Sequence, residues 1–136
     1  MNYAGEYKLA IQIGQRGFYA RVWLTVSPDP SLDFLKIEVA QDARHAPMDF
    51  QAAIRAGIDT AWRRVRRADP SIAGLHVREV HLHYMIVDST PRCVTYAAAG
   101  ALLNVLGLER LLPPFQPDAT LDEMIAAFSQ PSQDKP

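Results

Sequence analysis

The sequence predicts an α+β two-layer sandwich: three strands, then helix, strand and helix, with a short helix near the C-terminal end. Three observations predict it. Residues 7–13 and 18–26 each alternate apolar and polar side chains, and they flank a glycine-bounded turn. The segment after Pro47 sets Phe50, Ile54, Ile58, Ala61 and Val65 along one helical stripe. Asp88-Ser89-Thr90-Pro91 closes an alternating strand and opens a helix of small residues, 94–103.

In the first strand Leu9, Ile11 and Ile13 share one side, and Lys8 and Gln12 the other. Gly14-Gln15-Arg16-Gly17 reads as a hairpin turn in which both glycines accept positive φ. The second strand turns Phe18, Ala20, Val22, Leu24 and Val26 inward and leaves Tyr19, Arg21, Trp23 and Thr25 outside. Ser27-Pro28-Asp29-Pro30 breaks the pattern, and Leu35, Ile37 and Val39 mark a third strand. The three strands then read as an antiparallel meander.

The first long helix starts at Pro47 and ends at Asp69-Pro70. Leu75–Val87 is the fourth strand, Thr90 or Ser89 caps the next helix, and Gly107 closes it in a left-handed conformation. Residues 112–117, with three prolines, form a stiff connector. Thr120 and Glu123 carry a capping-box pattern over the stripe Leu121, Met124, Ile125 and Phe128. The tail, Ser129–Pro136, is expected to be disordered. Residues 1–112 thus form the sandwich, and 113–136 the connector, amphipathic helix and tail.

A single domain of 136 residues with 49% apolar content folds without metal or disulfide staples. Fourteen Lys and Arg oppose fifteen Asp and Glu, so any anion-binding role must rest on clustered charge. Cys93 is the only cysteine, which excludes an internal disulfide and suits a reducing compartment. The first residues lack a signal-peptide pattern, and no apolar run is long enough to span a bilayer. The expectation is a cytoplasmic protein without a membrane partner.

Three stretches carry a family resemblance: Gly14–Gly17, Pro47–Ile58 with Ala53, Ala56 and Gly57, and Ala73–Thr90 with its Asp88-Ser89 step. In order and spacing they resemble domain IV of elongation factor G, of the ribosomal-protein-S5-domain-2-like superfamily. The match covers roughly residues 7–107. The resemblance implies a left-handed strand–helix–strand crossover, against the usual right-handed rule. It also implies an arm whose tip loops reach the ribosomal decoding region. The chain departs from that family in two ways. The tip loop before Asp88 reads as shortened, with Met85 nearest the position of the family's histidine. No Gly-x-x-x-x-Gly-Lys-Ser/Thr loop occurs, so translocase activity and nucleotide binding are excluded.

The candidate binding surface is the sheet face opposite the helices. Alternation places Lys8, Gln12, Tyr19, Arg21, Trp23, Lys36, His81 and His83 there, with His76 on the opposite side by parity. Aromatic rings interleaved with cations suit base stacking and phosphate contact. The plainer reading is that Trp23 packs under the terminal helix or in a homodimer contact. Arg16 adds charge in the turn. Arg63, Arg64, Arg66 and Arg67 point away from the apolar stripe, either as a phosphate-binding knob or as a solvated helix end.

His81 and His83 share a strand face, yet a zinc site needs further ligands; Glu38 or Glu79 could serve, but nothing in the spacing requires it. No metal or cofactor is expected. Cys93 reads as core, and Asp88 with Ser89 as helix caps. The leading expectation is a non-catalytic, stand-alone domain that binds RNA or the ribosome. The alternative is a protein-interaction module or homodimer without RNA binding. An enzyme is the least favoured reading, since no catalytic constellation is evident.

Overall fold

The computed structural model describes residues 2–129. A four-stranded sheet is covered by helices in an α+β two-layer sandwich. Strand β1 (Tyr3–Ile13) and strand β2 (Arg16–Pro28) form a long hairpin in which Ile13 faces Arg16 across a two-residue turn. Gly14 takes φ 61 there, the left-handed geometry that tight hairpins demand. Both strands run longer than their alternation suggests.

The expected meander is not formed. Strand order is β1-β2-β4-β3, with β4 (Leu75–His83) inserted between β2 and β3 (Leu35–Val39). Strand β4 pairs antiparallel with β2 and parallel with β3. The reason lies in the connection after β2. Asp29 and Ser31 build a side-chain-bonded turn, and Asp29 N–H bonds to the Gly74 carbonyl, so the chain is led past β4 before β3 begins. Parallel pairing of β3 and β4 then requires a crossover, which helix α2 (Met48–Ala68) supplies. A single helical turn, α1 (Gln41–Arg44), precedes it.

Helix α2 buries Phe50, Ala53, Ile54, Ile58, Ala61, Trp62 and Val65, the expected stripe widened by Ala53 and Trp62. It crosses helix α3 (Pro91–Val105) at close range: a Cβ built on Gly57 would lie 2.2 Å from the Thr95 carbonyl. Small residues on both helices make this approach possible. Helix α3 is buried along residues 93–103. Its start is capped by Thr90, whose hydroxyl accepts the Cys93 N–H. At its end Gly107 takes φ 70, its N–H bonds to Asn104, and the Leu108 N–H bonds to Leu103, a Schellman motif.

Strand β4 is shorter than expected. It ends at His83, not Val87, and residues 84–90 form a loop with Ile86 and Val87 exposed at 92% and 90%. Apolar β-formers alone read as strand, but the pairing with β2 stops at Arg21 and His83, and beyond it Tyr19 N–H bonds to the Asp88 carbonyl across a looped-out segment. Asp88 and Ser89 do not cap the helix either. The Asp88 carbonyl accepts the Tyr19 N–H, and Ser89 Oγ donates to the Tyr19 carbonyl, tying the loop to β2.

The C-terminal segment folds onto the same core. After a 3₁₀ turn, Glu109–Leu111, the connector lays Phe115 edge-on against Phe18 and Tyr96. Tyr96 donates its hydroxyl to the Pro113 carbonyl, and burial, with Tyr7 adjoining, pushes that phenol far above its ordinary value. Arg92 donates to the carbonyls of Pro117 and Ala119. Helix α4 (Leu121–Ala127) carries the complete Thr120–Glu123 capping box and buries Met124, followed by Phe128. Of the tail expected to be disordered, all but Ser129 lies outside the described residues.

Candidate nucleic-acid interface

Helix α4 docks on the side of α3, so the opposite sheet face stays open and Trp23 is not beneath it. The alternation of β2 delivers Tyr19, Arg21, Trp23 and Thr25 to that face, as read from the sequence. Lys8 and Gln12 stand beside them on β1, and Lys36 and Glu38 on β3.

The rings are paired with one another across strands. Tyr19 hydroxyl and His83 Nδ1 lie 2.6 Å apart, with the rings edge to face. Trp23 and His81 are stacked, centroids 5.2 Å apart and planes 11° from parallel. The Arg21 guanidinium sits 4.9 Å from the centre of the Trp23 ring and is bonded to the Glu6 carboxylate. That partner raises the Arg21 pKa above its ordinary value, through the hydrogen bond first. The result is a flat ladder of rings held in place by neighbours.

One expectation about this face is corrected. His76 lies on the same face as His81 and His83. A β-bulge in β4 opposes two residues, Glu79 and Val80, to Leu24 alone, because Trp23 pairs with His81 while Thr25 pairs with Arg78. Parity is therefore reset between His76 and His81. Glu79 carries the strain at φ 51, about 1–2 kcal/mol for a residue with a Cβ. The apolar positions Leu75, Val77, Val80 and Leu82 give the bulge away, since their spacing contains one gap of three. His76 Nε2 lies 3.0 Å from the Glu38 carboxylate, out of line for a hydrogen bond.

The arginine cluster is divided by the fold. Arg63 is exposed and paired with Asp59 at 2.8 Å. Arg66 donates to the Asp33 carbonyl at 2.6 Å and lies over the Trp62 ring. Arg67 donates to the carbonyls of Phe128 and Ser129, closing the C-terminal end of α4. Arg64 is half-buried, and its guanidinium is held below its ordinary pKa by burial and by Arg67. Arg16 is bonded to Asp118 at 2.9 Å and lies over Phe18. Arg63 and Arg67 are exposed, but Arg67, like Arg66, holds a neighbouring chain segment.

Sequence reasoning missed Glu6 and Asn104, and named Glu79 only as a possible metal ligand. Together with Arg21, Trp23 and His81 they line a shallow depression of ≈ 470 Å³ on the open face and its β1 edge. Asn104 Oδ1 accepts the Glu6 N–H there, covering one backbone donor of the edge strand. Among the described residues no group of three or more His, Cys, Asp or Glu is arranged to hold a metal ion. Cys93 is buried beneath Thr90, as expected for a core residue. No helix among the described residues is long and apolar enough to cross a membrane.

No protein-family model matches the chain, and no curated protein matches it. A solved structure does. The crystal structure of a Thermus thermophilus protein superposes with a TM-score of 0.58 at 22% identity, covering 79% of this chain and 16% of that one. At that identity the likeness shows a shared α+β fold. The chain matches a small part of a much larger molecule.

Proposed function

We propose that the chain is a non-catalytic cytoplasmic domain that binds RNA or the ribosome through its open sheet face, in the manner its resemblance to the elongation factor G arm implies. The observation that carries this reading is the ladder formed by Tyr19–His83 and Trp23–His81. Preordered rings on a sheet offer stacking surface at little entropic cost, and every base has a face to stack. Four cations, Lys8, Arg21, Lys36 and Arg78, stand on that face against three carboxylates, Glu6, Glu38 and Glu79. The electrostatic contribution is therefore modest, and stacking supplies the larger share. Arg63 adds a cation on α2.

The test is co-sedimentation of the purified chain with ribosomes, and gel shift with structured RNA, across a salt series. Binding should weaken with salt, but with the shallow slope of a few phosphate contacts. Replacing Tyr19 and Trp23 by Ala together should remove it, and Lys8→Ala with Arg78→Ala should flatten the salt dependence. No association with either target at low salt rejects the reading.

The exposed loop favours a second reading, a protein-interaction module or homodimer. Met85, Ile86 and Val87 are exposed at 47%, 92% and 90% at one end of the sheet. Light scattering across a concentration series decides for a homodimer, with Ile86→Ser reversing any self-association.

A further inference from the structure

We propose that the depression beside Trp23 is a subsite for one unpaired base that presents hydrogen-bond donors on its Watson–Crick edge, guanine above all. The proposal rests on the RNA-binding reading and names what the open face selects. Its basis is the charge of the lining. Glu6, Arg21, Trp23, Glu79, His81 and Asn104 surround ≈ 470 Å³, room enough for a purine. Two carboxylates and one guanidinium are present, and that guanidinium is already bonded to Glu6. A phosphate is repelled from such a site, so the backbone must pass outside it, along Lys8 and Arg78. A base carries no charge and meets no such penalty.

The carboxylate then decides which base. An ionised carboxylate only accepts hydrogen bonds. Guanine presents two adjacent donors, N1–H and the N2 amino group, which match the two oxygens. Adenine and cytosine present one amino group each. Uracil presents one N–H flanked by two carbonyls that repel the carboxylate. Glu79 is the residue aimed for this task. The bulge in β4 puts it on the open face, beside the Trp23–His81 stack, in a left-handed backbone conformation where glycine would be the unstrained residue. Bulges recur where a strand must re-aim a side chain. The Asn104 amide is already engaged by the Glu6 N–H and by Glu109, so it forms a wall and leaves the reading to Glu79.

The experiment uses the full chain carrying Trp62→Phe, which leaves Trp23 as the sole indole of the two in the sequence. It is titrated at low salt with a uridine hexamer and with the same hexamer carrying one guanine, adenine or cytosine. Anisotropy of the labelled RNA gives affinity, and Trp23 emission reports occupancy of the subsite. The guanine hexamer should bind roughly tenfold more tightly than the uridine hexamer and quench Trp23, and Glu79→Gln should shrink that preference to about twofold while uridine binding persists. Glu79→Gly, which removes the carboxylate and relaxes the backbone, should behave alike, with circular dichroism confirming that both variants fold. Equal affinity for all four hexamers, or a guanine preference that survives Glu79→Gln, overturns the subsite alone and leaves RNA binding standing. If no hexamer and no ribosome binds, both readings fall. An arginine hexapeptide that binds in a Glu79-dependent way where RNA does not would assign the depression to a cation and overturn the proposal.

Discussion

Ser89 Oγ donates to the carbonyl of Tyr19 at 2.6 Å and accepts the N–H of Met85 at 2.9 Å. One buried hydroxyl thus joins the loop after β4 to the middle strand that presents the ring ladder. Tyr19 N–H, in turn, bonds to the Asp88 carbonyl at 3.0 Å. Ser89→Ala leaves a strand carbonyl and a loop N–H unpaired in a place water barely reaches. The expected loss is about 1–3 kcal/mol of stability, read as a lower urea midpoint with an unchanged slope.

Arg67 binds the last carbonyls of α4, so its role differs from that of Arg63, four residues earlier. Arg67→Ala should loosen the C-terminal segment without unfolding the sheet. Limited proteolysis should then cut near α4 faster, and amides of residues 121–128 should exchange faster, while the Arg63→Ala protein matches the wild type within about 0.5 kcal/mol. Equal protection of α4 in both variants would refute the division of the cluster.

Legibility of the chain followed the range of the forces involved. Leu24 and Ile58 were found in the core because helix and strand periodicity is a local signal. The caps at Thr90, Gly107 and Thr120 were readable for the same reason. The position of β3 was hidden, since which strand pairs with Leu35–Val39 depends on Gly74 and Asp29 meeting across 45 residues. The ring ladder was half legible. Tyr19, Trp23, His81 and His83 were placed on the open face, but their pairing depends on register, which alternation does not give. The place of Glu79 beside Trp23 went unread although the gap of three between Val77 and Val80 marks the bulge, and Glu6 was missed because an edge contact leaves almost no local trace. Arg66 and Arg67 looked free because their acceptors are carbonyls of distant loops.

Gly57 faces Thr95 where α2 crosses α3, and an added Cβ would meet the Thr95 carbonyl at 2.2 Å and the Ala98 Cβ at 2.9 Å. Backbone cannot yield there without separating the helices. Gly57→Ala should therefore cost about 3 kcal/mol or more, although alanine is the better helix former by about 1 kcal/mol. Gly14→Ala has open space around its Cβ and suffers only from its φ of 61, so its cost should stay near 1 kcal/mol. Thermal denaturation of both variants tests the ranking. A Gly57→Ala protein as stable as Gly14→Ala would mean that the helix crossing is wrongly described.

Glu123 gives stability a defined pH dependence. Its carboxylate accepts the Thr120 N–H at 2.8 Å, while Thr120 Oγ1 accepts the Glu123 N–H at 3.1 Å. The backbone hydrogen bond, then that of the hydroxyl, holds the Glu123 pKa below its ordinary value of 4.5. A depressed carboxylate pKa means that the folded state prefers the ionised group. The stabilisation is fully present above the ordinary value and is lost as pH falls through the lowered one. Amide exchange in residues 121–127 should accordingly be protected at neutral pH and lose protection, relative to the rest of the core, as acid protonates Glu123. In Glu123→Ala the same amides should be less protected at neutral pH, and their difference from wild type should vanish at low pH. A difference that persists unchanged into acid would show that the capping carboxylate contributes nothing through its charge.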